Sequence, residues 1–121
     1  KGLKIGVFGL SPQLEGLVDK GAYGAVTYSD PSACANKTAA ILKEKEKCDL
    51  VICLSHLGWS EKGDKAVIRA SKDIDLLLGG HSHTWLKSLE YVTNAKGRQI
   101  PVSQNGKSAV YVGKIMMEIT R

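Results

Sequence analysis

The sequence predicts an α/β fold of mixed α+β character, in which a parallel β-α-β-α-β unit is followed by an antiparallel hairpin and a long strand. Three apolar runs with strand character, residues 3–10, 49–59 and 75–80, are separated by segments with helical patterning. A connection long enough to hold a helix joins parallel strands by a right-handed crossover. At 121 residues, the chain is predicted to be a single domain.

The first elements follow from local signals. Residues 3–10 form an apolar run that should be buried on both faces and should stop at the Ser-Pro pair after it. Residues 25–29 are expected to form a short strand after a loop with one helical turn. Asp30 can accept hydrogen bonds from the free amides of a helix start, and Pro31 suits the first helical position. These residues predict a helix over 31–47.

The later elements alternate in the same way before the pattern changes. The second strand should lie within residues 49–59, the second helix near 62–71, and the third strand at 75–80. Residues 90–104 form two short runs around a turn with a glycine, which predicts a β-hairpin. Residues 108–120 predict a long final strand with partial alternation.

Composition excludes several classes of function. The net charge is +5, but the densest run of charges, residues 43–47, alternates in sign, which argues against a nucleic-acid stripe. No apolar run is long enough to span a bilayer. Cys34, Cys48 and Cys53 contain no Cys-x-x-Cys pair, so they indicate neither a disulfide framework nor a cysteine zinc site. The chain starts without Met and directly in a strand pattern, as an excerpt of a longer chain would.

Two strands carry a histidine just past their carboxyl ends. His56 follows the second strand and His81 the third, so parallel strands would bring both to the sheet edge where open α/β sheets place their sites. His56 alone is as readily structural as a ligand. A pair such as His81 and His83, after two glycines, has little packing rationale. Gly80 and its neighbour let the backbone turn sharply or let another group come close. Together these residues suggest a metal site for zinc, manganese, iron or cobalt.

The carboxylates that a two-metal centre requires are not well placed. Two divalent ions about 3.5 to 4 Å apart need a bridging carboxylate to offset their charge. Asp49 and Asp75 lie at the amino ends of their strands, roughly 20 Å from the histidines at about 3.3 Å per residue. Glu61 and Asp64 are explained by capping at the start of a helix. The carboxylate ligands are therefore expected outside this chain.

The motifs LSHLG and IDLLLGGHSHT, with KIGVFGL upstream and VSQNGKSAVYVGKI downstream, resemble the second half of the catalytic domain of calcineurin-like metallophosphoesterases, in their 5'-nucleotidase branch. The resemblance implies a four-layer αββα sandwich, of which residues 1–121 would be a single partial domain, its carboxyl-terminal half. It implies two divalent metal ions (Zn, Mn, Fe or Co), with His56 and His81 on one and His83 on the other. The family motifs D-x-H, G-D-x-x-D and G-N-H-[ED], which hold the carboxylates, are absent here.

The function implied by the resemblance is hydrolysis of nucleotide-like phosphate esters by a hydroxide that two metal ions activate. The chain alone should be inactive, and it contributes metal ligands without a catalytic residue of its own. The alternative is a non-catalytic half-domain that binds a partner chain. An exposed apolar sheet face, left by the missing amino-terminal half, should favour self-association. Relatives in this branch are commonly exported to the periplasm or the cell surface, which is the only indication of location.

Several further residues flank the histidine motifs. Four of them are expected to shape the site or to orient the imidazoles: Ser55, Gly80, Ser82 and Thr84. Trp59 and Trp85 either line the cleft or pack at the rim of the sheet, and packing is favoured. Gln104 and Asn105 follow a strand of the hairpin and either approach the cleft or serve turn chemistry, and turn chemistry is favoured.

Overall fold

The computed structural model describes residues 2–120, and it contains a five-stranded sheet in the order β1-β2-β3-β5-β4. The elements are β1 (Ile5–Leu10), α1 (Lys20–Tyr23), α2 (Pro31–Ala40) with a π-helical turn (Ile41–Lys45), β2 (Leu50–Ser55), α3 (Asp64–Ala70), β3 (Leu76–Gly79), β4 (Glu90–Thr93) and β5 (Gln99–Ser103).

Strand directions confirm the predicted α/β class. β1, β2 and β3 are parallel neighbours, β5 pairs in parallel with β3, and β4 pairs antiparallel with β5. The register matters for the site, because Leu10, Ser55 and Gly79 are paired across three adjacent strands. The loops after β2 and β3 therefore start side by side at one sheet edge. The described residues form one sheet with helices on one face, so the remaining layers of the sandwich stay a prediction.

Helix α2 begins and packs as its sequence indicates. The Asp30 carboxylate accepts a hydrogen bond from Ala33 N at 2.7 Å, with Pro31 at the first helical position. Ala35 and Ala39 are fully buried against the sheet. The helical segment ends at Lys45 rather than at the predicted residue 47.

Helices α2 and α3 cover one face of the sheet and form the core with it. The fully buried side chains on this side come from both helices and from the central strands: Ala35, Ala39, Val51, Cys53, Ile68, Leu77, Ile100 and Val102. A Cβ at Gly6 would lie 3.0 Å from Cys48 Sγ and 3.1 Å from Leu42 Cδ1, so this glycine lets the helical layer approach β1 closely. Burial of apolar side chains on this face is the main stabilising contribution.

The opposite face of the sheet is apolar and partly open. Ile5, Val7 and Leu54 are exposed to 51%, 53% and 46%, although strand β1 was expected to be buried on both faces. A groove of about 730 Å³ separates this face from the carboxyl-terminal segment, and alternate residues of that segment, such as Ile115 and Met117, line it. We call the exposed surface formed by Ile5, Val7 and Leu54 the open face.

Two predicted strands do not form, although the structure describes both segments. Residues 25–29 lie outside regular structure, with Val26 63% exposed. Residues 108–120 begin with a turn in which Ser108 and Ala109 have φ values of 60° and 54° and then make no strand pairing. Their odd-numbered side chains line the groove with a period of two. The segment lies over a sheet face rather than beside an edge, where ladder hydrogen bonds could form.

The amino edge of the sheet, opposite the histidines, is tied together by Asp75. Its carboxylate pairs with Lys43 Nζ at 2.7 Å and with Arg98 Nη2 at 2.8 Å, and it accepts a hydrogen bond from Val51 N at 2.8 Å. Burial alone would raise the pKa of Asp75, but the hydrogen bonds from Arg98, Lys43 and Val51 outweigh it, so its pKa is lowered.

No helix within residues 2–120 combines the length and the apolar character that crossing a bilayer requires.

Candidate metal site at the carboxyl edge of the sheet

The structure brings His56 and His81 together. His56 directly follows β2, and His81 follows β3 after one further residue. These two parallel strands are paired at Ser55 and Gly79. The two imidazole rings lie edge to face, with centroids 5.1 Å apart and an interplanar angle of 65°. Both residues are exposed. The predicted meeting of two histidines at this edge is therefore present in the fold.

The backbone around the His-Ser-His motif is unusual. His81 and His83 both have positive φ, at 68° and 55°, while Ser82 N donates to Gly80 O at 2.8 Å. Non-glycine residues are uncommon in this left-handed region because the Cβ crowds the backbone, and histidine is, with asparagine and aspartate, one of those found there more often. Strain of this kind is concentrated at functional sites. The motif is thus a tight loop. The alternation of a regular strand, which would direct the two rings to opposite faces, does not hold for it.

The two glycines before this loop serve close approach. Neither Gly79 nor Gly80 has positive φ. A Cβ on Gly80 would lie 3.2 Å from His56 Nδ1, and a Cβ on Gly79 would lie 2.8 Å from Asp64 Oδ2. Of the two explanations open at the sequence level, a sharp turn or a close neighbour, the close neighbour is the one that the structure supports.

The hydroxyl groups near the histidines hold the loops. We call residues 56–63 the first histidine loop and residues 80–84 the second. Ser82 Oγ accepts from Trp59 N at 3.0 Å, and this bond links the two loops. Within the second loop, Ser82 Oγ lies 2.8 Å from Thr84 Oγ1. Ser55 Oγ accepts from Leu57 N at 3.2 Å. The expectation that Ser55, Ser82 and Thr84 orient the imidazoles remains a prediction, because these contacts within residues 2–120 are to the loops.

Sequence reasoning favours turn chemistry for Gln104 over an approach to the cleft, but the structure places its side chain against the second histidine loop. It is only 2% exposed, and its Oε1 accepts from Thr84 N at 2.6 Å and from Ser82 Oγ at 3.1 Å. Its position was a usable signal, since it directly follows β5, which is parallel to β3 and ends at the same sheet edge.

Asp64 is also placed differently from its predicted role as a helix cap. Gly63 occupies the cap position of α3 without a side-chain hydrogen bond, and Asp64 is fully buried. Its Oδ1 accepts from Ser55 Oγ at 2.5 Å. Burial raises the pKa of Asp64 to about 6, against the opposing effect of the Ser55 hydrogen bond.

Glu61 is not a cap either. It pairs with Arg69 at 2.5 Å and with Lys65 at 2.9 Å on the surface. Hydrogen bonds from Arg69 and Lys65 lower the pKa of Glu61 to about 2. These two ion pairs with residues of α3 account for Glu61 as a surface residue.

The two tryptophans take different positions. Trp59 packs partly against the core, with Lys65 Nζ 4.9 Å from its ring centroid. Trp85 is 47% exposed and stacks on Tyr111, with ring centroids 4.3 Å apart and an interplanar angle of 5°. Packing therefore accounts for Trp59, and Trp85 lies at the rim, where the carboxyl-terminal segment covers it.

The donor set fits the nitrogen part of a metal centre and is incomplete by itself. Two accessible imidazoles at this separation suit a divalent transition metal. Within residues 2–120, however, no three side chains of histidine, cysteine, aspartate or glutamate come together as a metal-binding group, and His83 is exposed without joining such a group. Further ligands must come from elsewhere if a metal binds here.

Comparison with known proteins identifies relatives of the chain. No protein-family model matches it. It is 31% identical over 93 residues to the trifunctional nucleotide phosphoesterase protein YfkN of Bacillus subtilis, a match covering 77% of this chain and 6% of that protein. It is 32% identical over 112 residues to an apyrase of Aedes albopictus, covering 78% of this chain and 19% of the apyrase.

A solved structure agrees with these relatives. The 5'-nucleotidase precursor from Thermus thermophilus matches with a TM-score of 0.61 and 29% identity, over 67% of this chain and 18% of that one. The chain spans less than a fifth of the length of each of these three proteins. Because sequence and fold lead to the same group of hydrolases, the chain is a homologue of 5'-nucleotidases, apyrases and a nucleotide phosphoesterase of the metallophosphoesterase superfamily.

Proposed function

We propose that this chain provides the histidine-bearing half of a metal-dependent site that hydrolyses nucleotide-like phosphate esters. The observation that carries the proposal is the meeting of His56 and His81, 5.1 Å apart, at the carboxyl edge of the sheet. The names of the relatives, a nucleotide phosphoesterase, an apyrase and a 5'-nucleotidase, support the substrate class.

The three histidines divide between two divalent ions in this proposal. Following the family resemblance, His56 and His81 would hold one ion and His83 the other, and the left-handed backbone at His81 and His83 frees their rings from the strict alternation of a strand. The pair of ions would supply Lewis-acid stabilisation of charge that develops on the phosphoryl oxygens. The chain's own contribution is to fix the imidazoles on loops tied to each other through Ser82 and Trp59.

The carboxylates of such a centre lie outside this chain in the proposal. Asp64 is buried with its Oδ1 on Ser55, and Asp75 is neutralised by Lys43 and Arg98 at the opposite edge of the sheet. Two divalent ions held only by neutral imidazoles would leave their charge unbalanced. Residues 1–121 therefore act as a partial domain, completed by a segment that carries acidic ligands.

The test compares the full-length protein with the 121-residue chain. We expect the full-length protein to carry D-x-H, G-D-x-x-D and G-N-H-[ED] motifs and to release phosphate from a nucleoside monophosphate with added manganese or zinc. The 121-residue chain alone should release none above background. Absence of those motifs from the full-length protein, or turnover by the short chain that His83→Ala abolishes, would contradict the proposal.

The open face favours one alternative, a non-catalytic half-domain that binds a partner chain. Ile5, Val7 and Leu54 are apolar and about half exposed, as expected of a surface that another layer covers. Both readings need a covering layer, and only the first needs hydrolysis. Phosphate release by the full-length protein separates them.

The same face predicts how the isolated chain behaves. We expect the 121-residue chain to self-associate in analytical ultracentrifugation, because burying the open face removes apolar surface from water. Val7→Lys should shift the population towards monomer. Val26→Lys is the matched control, since Val26 is 63% exposed but lies outside the sheet. A monodisperse monomer at high concentration would contradict the prediction.

A further inference from the structure

We propose that Asp64 and Gln104 form a buried hydrogen-bonded bridge that positions the two histidine loops relative to each other. The proposal rests on the proposed function, because it concerns the geometry of the same metal ligands. Neither residue would touch metal or substrate, so both are positioning residues.

Asp64 provides an acceptor without a donor. The side chain is fully buried, and Oδ1 accepts from Ser55 Oγ at 2.5 Å. Oδ2 has no hydrogen-bond partner within residues 2–120. Asp64 N donates to Gly58 O at 2.9 Å. This residue therefore holds the end of β2 and the first histidine loop, with one carboxylate oxygen free for a further bond.

Gln104 provides a donor without an acceptor. Thr84 N and Ser82 Oγ both donate to its side-chain oxygen, at 2.6 and 3.1 Å. Because a backbone N–H can only donate, the bond from Thr84 fixes which end of the amide is oxygen. The Nε2 end then points away from the second loop, and it too is buried without a partner in the described part of the chain.

Asp64 Oδ2 and Gln104 Nε2 both lie next to Gly79. A Cβ on Gly79 would lie 2.8 Å from Asp64 Oδ2 and 3.1 Å from Gln104 Nε2. The donor and acceptor are thus less than about 6 Å apart, a gap that a small shift or one bridging water closes. A buried polar group without a partner destabilises the fold, so pairing these two groups is favoured.

The bridge completes a closed chain of contacts between the loops. On one side Asp64 holds Ser55, which directly precedes His56. On the other side Gln104 holds Ser82 and Thr84, which flank His83. Above the bridge, Trp59 N donates to Ser82 Oγ at 3.0 Å. With both connections made, the loops cannot move independently, and the separation of their imidazoles is fixed.

An exchange of the two functional groups tests the bridge. Gln104→Glu removes the amide donor and places a second carboxyl group against Asp64, where two negative charges repel each other. Asp64→Asn combined with Gln104→Glu restores one amide facing one carboxylate, with the roles reversed and the net charge of the original pair. The measurement is the affinity of the metal-stripped full-length protein for Co²⁺, made at the same mildly alkaline pH for every variant.

The bridge and simple charge effects predict opposite results. We expect Gln104→Glu to bind Co²⁺ about 10- to 100-fold more weakly, the usual cost of losing a group that orients metal ligands. Added negative charge alone would strengthen Co²⁺ binding. The exchanged pair should recover most of the affinity. If Gln104→Glu does not fold, recovery of both folding and Co²⁺ affinity in the exchanged pair supports the bridge.

Asn94→Asp is the matched control. Asn94 is also buried and has an unpartnered Nδ2 within residues 2–120, but it lies in the β4–β5 hairpin away from the histidines. It should change thermal stability without changing Co²⁺ affinity. Unchanged Co²⁺ affinity in Gln104→Glu, or an exchanged pair no better than the single variant, overturns the bridge. Loss of hydrolysis by the unaltered protein would instead overturn the proposed function alone.

Discussion

His81→Asn in the full-length protein is expected to lower kcat/KM for a nucleoside monophosphate by at least about 100-fold, because it removes a ligand of an ion that would stabilise transition-state charge. Asparagine is chosen because His81 has a φ of 68°, and asparagine tolerates left-handed backbone better than alanine. The loss would then report the imidazole rather than the loop conformation. Phosphate release at saturating and limiting substrate is the measurement.

Lys47→Asn is the control for this change. Lys47 also has positive φ, at 55°, but it lies between the helical segment and β2, at the amino edge of the sheet. It should leave kcat/KM within about twofold of the unaltered protein, as surface substitutions usually do. Equal losses in the two variants would mean that general destabilisation explains the effect, and the role of His81 as a ligand would fail.

Asp75→Asn is expected to lower the free energy of unfolding by about 2 to 3 kcal/mol at neutral pH, because it leaves two cations without their partner. Lys43 and Arg98 both pair with this nearly buried carboxylate, whose side chain is 10% exposed. The value lies below that of a fully buried pair because Arg98 is itself 53% exposed. Urea unfolding of the full-length protein, followed by a signal from this domain, measures it.

The pH dependence of this difference has a defined sign. The pKa of Asp75 is lowered from its ordinary value of 3.8, so the folded state favours the ionised form. The stability that the ionised Asp75 contributes is fully present at pH values a unit or more above 3.8. It is lost as the pH falls through the lowered pKa. The gap between the unaltered protein and Asp75→Asn should therefore shrink below about pH 4. A gap that widens in acid would refute the argument.

Asp73→Asn provides the comparison. Asp73 forms a single pair with Lys96, which is 52% exposed, so the change should cost less than about 1 kcal/mol.

The sequence predicted those features that depend on local pattern. Apolar runs of strand length, separated by helical segments, indicated parallel strands, and the pairing of Ser55 with Gly79 confirms that the histidine loops begin together. Asp30 and Pro31 marked a helix start for the same reason, since capping involves only neighbouring residues. These predictions needed no knowledge of distant contacts.

Features that depend on tertiary contacts were missed. Asp64 stands at the start of a helix, where capping is the ordinary explanation, and only the fold shows that the helix start is pressed against Ser55 and Gly79. Residues 108–120 have the alternation of a strand, but pairing requires a neighbouring edge that a pattern cannot supply. For Gln104 the sequence favoured turn chemistry over an approach to the cleft, because the residues that it contacts are twenty or more positions earlier in the chain.

Because Ser55 pairs with Gly79, the distance between the imidazoles of His56 and His81 depends on the register of β2 and β3. A slip of two residues between β2 and β3 would keep every side chain on its proper face while moving His81 about 6.6 Å along the sheet. Two nitrogens on one ion lie no more than about 4.2 Å apart, given bonds of about 2.1 Å. A metal ion shared by His56 and His81 would therefore bind only the correctly aligned sheet, and it would select that alignment during folding.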